Sequence, residues 1–295
     1  MEKRFDVNLS FIGGRLLMSS IFHPVEYAKF LIQIGHEPIK PFPTKTLFGK
    51  PVYGLPNVFR YVSYIYDVDG FNGCYRGLLA TITCSSVYIA VHSAVAKNTN
   101  LKESDNEDQL SENEKRILFV NELTNNVMCK TAAIVVTQPL HVVACRIMAQ
   151  FVGGETKYSF LLSSLWTIYK EEGFSGLFAG LIPRWFAEIS TLILASTITF
   201  AFNEYLVQDK ELKTYTGTMI QFVTSSLMYP FHVVGACMTV TGSGLASGSP
   251  PQMPLYLSSF DCWKNLARQN QLKRGSSLFF RYYTRANNNI LHKVS

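Results

Sequence analysis

Apolar and polar positions along this chain fall into blocks of two kinds. Five stretches, 11–34, 78–96, 118–151, 181–207 and 215–241, approach the roughly 20 residues a helix needs to cross the hydrocarbon of a bilayer. None of them is free of polar groups. Shorter segments with a single apolar face, 55–66, 158–170 and 256–267, follow the first, third and fifth stretches. The order is span, surface helix, span, repeated. It predicts an all-α membrane protein with about five transmembrane helices.

Each stretch carries a polar line when read at helical spacings of three and four. The first gives Arg15, Ser19, Glu26, Lys29 and Gln33, with Phe22 breaking the row, and the second gives Thr81, Ser85, Tyr88 and His92. The third gives Glu122, Asn126, Lys130, Thr137 and His141, with Arg146 beyond them. The fourth gives Arg184, Glu188, Thr191, Thr199 and Asn203, and the fifth Thr218, Gln221, Ser225 and His232. A charge at the bilayer centre costs about 2.5–3.5 kcal/mol on insertion scales, so such lines face one another or water. Converging, they would line a hydrophilic groove. The plainer alternative is an ordinary bundle interior, with Glu26–Lys29, Glu188–Arg184 and Asn126–Lys130 pairing locally along their helices.

Prolines reveal a repeat. Pro24, Pro139 and Pro230 lie about two-thirds along the odd-numbered stretches, in the contexts His23-Pro24-Val25-Glu26-Tyr27-Ala28-Lys29, Gln138-Pro139-Leu140-His141-Val142-Val143 and Tyr229-Pro230-Phe231-His232-Val233-Val234. A second signature follows the first two: Asp69-Gly70, then Tyr75-Arg76-Gly77, and Glu172-Gly173, then Phe178-Ala179-Gly180. A third copy, Gln269-Asn270 with Arg274-Gly275, is degraded. Residues 1–96, 117–207 and 208–295 are then three related modules, with an acidic linker, 97–116, after the first. In the third module 14 residues follow Phe279-Phe280-Arg281, too few and too polar for a sixth span. The prolines read as helix kinks whose freed carbonyls neighbouring helices satisfy.

These two signatures resemble the mitochondrial carrier repeat, Pro-x-acid-x-x-base followed by acid-Gly-x4-aromatic-base-Gly. The resemblance implies three pseudo-symmetric helical hairpins, each with a surface helix. It also implies a gate in which the acid and base after each proline pair between repeats. Here Glu26 and Lys29 keep that pattern, while His141, Ala144, His232 and Gly235 replace the other four groups. A three-pair ionic gate therefore cannot form, although Arg146 offers a substitute partner for Glu26.

Within that superfamily the chain is most similar to the mitochondrial carrier homolog family, its divergent outer-membrane members. The matching residues are Lys29-Phe30-Leu31-Ile32-Gln33-Ile34-Gly35-His36-Glu37-Pro38, Phe178-Ala179-Gly180-Leu181-Ile182-Pro183-Arg184 and Arg274-Gly275-Ser276-Ser277-Leu278-Phe279-Phe280-Arg281. The resemblance implies residence in the mitochondrial outer membrane and insertion of helical proteins, tail-anchored ones included, into that membrane. Two other readings stay open. One is a solute carrier, which the repeat supports. The other is a receptor or scaffold whose basic loops dock cytosolic partners, apoptosis regulators among them.

Composition narrows these readings. Charged residues make up 16% of the chain and mean hydropathy is +0.11, against about 25% charged residues in soluble domains. The net charge of +6 comes with no basic run, so no nucleic-acid partner is expected. The basic excess lies in the loops with surface helices, which by the positive-inside tendency would face the cytosol. Six cysteines form no CxxC pair, and His92, His141 and His232 occupy different spans, so neither zinc site, other cofactor nor disulfide framework is expected. No nucleophile elbow, phosphate loop or catalytic carboxylate pair appears, and the protein is read as a non-enzyme. Residues 1–10 show neither a secretory h-region nor a transit helix. Phe279, Phe280, Tyr282 and Tyr283 read as an interfacial anchor.

Overall fold

A computed structural model describes residues 9–45, 49–98, 111–205 and 210–282. In chain order these form α1 (Leu9–Gln33), β1 (Phe42–Lys45), β2 (Pro51–Leu55), α2 (Val58–Cys74), α3 (Leu78–Asn98), α4 (Glu112–Ala149), α5 (Leu161–Leu177), α6 (Leu181–Tyr205), α7 (Lys210–Val240), α8 (Ser259–Arg268) and β3 (Arg281–Tyr282). The protein is all-α apart from one small sheet.

Four segments, Leu78–Asn98, Glu112–Gly153, Leu181–Glu204 and Tyr215–Val240, are long and apolar enough to cross a membrane. Helix α1 has 25 residues, about 37 Å of helix at 1.5 Å per residue, but Arg15, His23, Glu26 and Lys29 leave it without a continuous stretch as apolar as those four. Of the five expected spans, four meet both length and apolarity, and the first meets length. Among the described residues no helix follows α8; Tyr283 and the rest of the expected tail lie outside them.

Local chemistry shifts several boundaries. Helix α4 opens at Glu112, inside the segment read as a linker. The Ser111 N–H donates to Glu114 Oε2 at 2.9 Å, half of a capping box, and Glu112 and Glu114 sit in the first turn, where the helix dipole favours acids. The surface helices begin three residues later than their apolar faces do. Asn57 caps α2 by accepting the Arg60 N–H at 2.8 Å, and Ser258 caps α8 by accepting the Asp261 N–H at 3.2 Å. Helices α1, α4 and α7 each continue through Pro24, Pro139 and Pro230.

The second signature is a backbone turn. Gly70 (φ 72°) and Gly173 (φ 71°) interrupt α2 and α5 in the left-handed region. Asn270 (φ 53°) is the one non-glycine in that region among the described residues. Asn tolerates it because its short side chain bonds locally. The third copy has thus lost acid and glycine but kept the turn. Gly180 has a different reason: a Cβ there would lie 2.7 Å from the Gly235 carbonyl, so any side chain would push the two backbones apart.

The compact units cut across the repeats. One gathers Met1–Ser85, Pro139–Gly180 and Val233–Ser295; the other gathers Ser86–Gln138 and Leu181–His232. The first has a large-residue core that includes Tyr27, Leu31, Tyr61, Ile65, Ile168 and Leu266, each at most 1% exposed. Phe151 meets the rings of Tyr27, His36 and Tyr64 edge-on. The second buries smaller residues, Cys129, Ala133, Ala187 and Ala195, the type that lets helices approach closely in a bilayer.

A sheet that the sequence pattern did not reveal closes the first unit. β1 and β2 form an antiparallel hairpin, and β2 pairs with β3 through Leu55 and Arg281. Arg281 does not join Phe279 and Phe280 at the exposed surface. It is buried, forms an ion pair with Glu37 and donates to the Pro56 carbonyl at 2.8 Å. Burial pushes the Glu37 carboxyl above its usual range, against the pull of the Arg281 charge.

Breaking this pair strands a carboxylate in the interior, so Arg281→Ala should cost about 3–5 kcal/mol. A thermal melt of the detergent-solubilised protein should fall by roughly 10 °C, and Glu37→Gln combined with Arg281→Met should recover most of the loss. A second test concerns His36, whose burial lowers its pKa to about 4. The unfolded chain binds that proton near pH 6.5 and the folded one does not, so stability is lost as pH falls from 6.5 towards 4, by up to about 3 kcal/mol. Melts at pH 7.5 and pH 5 should show a smaller difference in His36→Gln than in the parent.

Candidate functional site

The polar lines separate into different environments. In the second unit, Lys130 on α4 bonds Glu188 on α6 twice: to its Oε2 at 2.8 Å and to its backbone carbonyl at 3.2 Å. Their side chains are 19% and 36% exposed, so this pair is half-open. Arg184, one turn before Glu188, donates to Gln138 Oε1 at 2.7 Å. His232 and Arg184 act electrostatically on Glu188, and His92 on α3 feels Lys130. Asn126 lies half-buried one turn before Lys130 on α4. The local pairings read from sequence, Glu188–Arg184 and Asn126–Lys130, give way to a bridge between helices. A fixed Lys–Glu contact between two elements holds both side chains where a local pair would leave them free.

Further along the same helices, about two turns from this cluster, α4, α6 and α7 line an open cavity of about 480 Å³ whose walls include Lys115, Glu122, Thr199, Asn203, Glu204, Lys213 and Gln221. Lys115 and Glu204 approach to 3.8 Å across it. Reading Lys115 as linker and ending the fourth polar line at Asn203 missed two charged members of this wall. The signal for Lys115 was Ser111 with Glu114, a capping box that starts the helix one turn earlier. Only 11% of the α3 span and 22% of the α6 span are covered by protein.

The remaining expected groove residues belong to the first unit. Glu26 is exposed and Lys29 half-buried on α1, within one turn of each other. His141 bonds the Cys145 sulfur at 3.6 Å. Arg15 lies on α1, and its side chain falls outside the described residues.

Arg146 is no groove residue. Its side chain is wholly buried, and its guanidinium grips both oxygens of Glu172, with Nη2 to Oε2 at 2.7 Å. Its Nε donates to the Thr239 carbonyl at 3.0 Å. The bond offered to Glu26 is replaced by this two-pronged clamp, because a buried guanidinium needs a carboxylate and further acceptors to offset its lost hydration. The sequence held a clue. In the first repeat Asp69 pairs with Arg76 of its own signature at 3.0 Å; in the second, Ala179 stands at the base position, so Glu172 needed another partner. Among the described residues no three His, Cys, Asp or Glu side chains cluster as a metal site would require.

The two environments predict opposite sensitivities. Arg146→Ala strands buried Glu172 and should cost about 3–5 kcal/mol, whereas Glu188→Gln at the half-open pair should cost about 1 kcal/mol or less. Thermal melts of the two variants in one detergent separate them.

Comparison with known proteins agrees with this architecture. A family model described as mitochondrial carrier protein matches residues 116–210, essentially the second repeat. Mitochondrial carrier homolog 2 of Homo sapiens is 36% identical over 282 residues, covering 92% of this chain and 92% of that protein. Mitochondrial carrier homolog 1 of Mus musculus is 35% identical over 289 residues, covering 90% of this chain and 74% of its own. Putative mitochondrial transporter UCP3 of Bos taurus is more distant, 26% identical over 284 residues. Because Mitochondrial carrier homolog 2 is 36% identical over 92% of both chains, the chain is a mitochondrial membrane protein of the mitochondrial carrier homolog family.

Proposed function

We propose that this protein inserts helical segments, including those of tail-anchored proteins, into the mitochondrial outer membrane, with the polar cleft of α4, α6 and α7 as the path. The observation that carries the proposal is the half-open Lys130–Glu188 pair on the same two helices, α4 and α6, that line a polar cavity about two turns away, helices composed to cross a membrane. Two charges kept partly accessible at that depth cost several kcal/mol unless water or a polar guest solvates them. A client's hydrophilic flank is such a guest. While that flank moves along the cleft, the client's apolar stretch partitions sideways into lipid, driven by burial of its own surface. The protein lowers a desolvation barrier and consumes no bond energy.

Solute transport is the second reading, favoured by the repeat itself. Against it stands the gate: of the six positions after the repeat prolines, only Glu26 and Lys29 carry opposite charges. A carrier that alternates between two closed ends needs a closure at each.

Reconstitution separates the two. Liposomes holding the purified protein should insert an added tail-anchored client, scored by protease protection, well above empty liposomes. Lys130→Ala and Glu188→Ala should each slow insertion about tenfold, equivalent to about 1.4 kcal/mol of barrier. Insertion no faster than into empty liposomes sinks the proposal, and saturable uptake of a labelled metabolite would put solute transport in its place.

A further inference from the structure

Charge is balanced at one end of the proposed path and unbalanced at the other. The cavity of α4, α6 and α7 sets Lys115 and Lys213 against Glu122 and Glu204, two of each sign. In the cluster about two turns away, Lys130 and Arg184 share one carboxylate, Glu188, on which both act electrostatically. Lys130 is committed, bonding both the side chain and the backbone carbonyl of Glu188. Arg184 is not. Among the described residues it makes one hydrogen bond, from Nη1 to the neutral Gln138 Oε1 at 2.7 Å, and no carboxylate bridges to it. It is half-buried, and none of its unbonded nitrogens is sealed from solvent.

We propose that Arg184 determines specificity along the path by docking the C-terminal carboxylate of the inserting segment. The inference rests on the insertase reading and adds to it the group that is recognised. A tail-anchored client ends in an α-carboxylate shortly after its spanning helix, and that anion loses hydration as it enters the bundle. Paired donors restore what it loses. A guanidinium presents N–H donors in a planar fork that fits both oxygens of a carboxylate. Arg146 shows the same fork at work in this chain, gripping both oxygens of Glu172. With Lys130 held on Glu188, arrival of the client's carboxylate brings the cluster to two cations and two anions. A basic flank would add like charge instead. The balanced cavity admits either sign, so selection lies at Arg184, in the first turn of α6.

The dock is held in place before a client arrives. Gln138, which orients the guanidinium, is itself buried. Trp185 Nε1, on the next residue of α6, donates to Thr131 Oγ1 on α4 at 3.1 Å. Together with Lys130–Glu188 and Arg184–Gln138, this bond ties α4 to α6 at three points within two turns of α6. Donors fixed in advance lose less freedom on binding, which strengthens the contact they make.

The test compares one tail-anchored client in two forms, with a free C-terminal acid and with a C-terminal amide. Both are added to phosphatidylcholine liposomes holding the full chain, a lipid without net charge. Measured against empty liposomes, the protein should speed the free acid about fivefold more than the amide, the scale of a half-exposed ion pair. In Arg184→Gln that preference should fall towards one, and Arg184→Lys, charged but without the fork, should lie between. Equal acceleration of both forms overturns the dock and leaves the insertase reading standing. Acceleration of neither removes that reading and the dock with it. An Arg184→Gln protein that melts like the parent yet keeps the preference also overturns the assignment. The wild-type comparison needs no variant to fold.

Discussion

Everything in this protein that departs from a plain apolar bundle answers one constraint: a charge inside a spanning helix must be neutralised within the protein or kept in touch with water. The two charged pairs on α4 show both solutions on one helix. Arg146 is matched by Glu172, Tyr158 and the Thr239 carbonyl in a clamp that leaves no part of its side chain exposed. Lys130 has one carboxylate and one carbonyl, and it stays partly open. The first arrangement fixes packing. The second leaves hydrogen-bonding capacity unspent where a guest can use it. Exposure, more than charge, distinguishes scaffold from site here.

The same constraint explains how far the repeats have drifted. The turn of the second signature persists in all three modules, at Gly70, Gly173 and Asn270, because it is a backbone requirement that glycine or asparagine meets. The ion pairs attached to it do not persist. Asp69 pairs within its own signature, Glu172 pairs with Arg146, and in the third module Arg274 turns instead to Cys237. Each pairing satisfies its charges locally, so each module was free to find its own. What the symmetry preserves is geometry, with the electrostatics rebuilt around it.

That distinction also sets what the sequence could disclose. Spans, surface helices and the repeat were legible because each rests on periodicity or on residues with a fixed backbone role. Lys130, Glu188 and Gln221 could be named as polar positions from spacing alone. Their partners could not, since Lys130–Glu188 joins residues 58 apart and no spacing rule reaches so far. Arg146 misled for the same reason: helical spacing placed it near the polar line, while a distant carboxylate drew it into the core. The three-stranded sheet was hidden because β3 is two residues long and pairs with a strand more than 200 positions earlier.

The small sheet and its buried pair bring a final point. Glu37–Arg281 and Arg274–Gln33 both fasten the segment after α8 to the C-terminal end of α1 inside one compact unit. Cys237 lies in the same seam. A seam held by buried charges is strong against thermal motion and sensitive to chemistry, because the loss of one partner leaves the other uncompensated. The half-open pair Lys130–Glu188 belongs to the other unit and carries no part of that burden. Stability and the proposed path therefore draw on separate sets of residues, which allows the path to stay polar and half-solvated without weakening the fold around it.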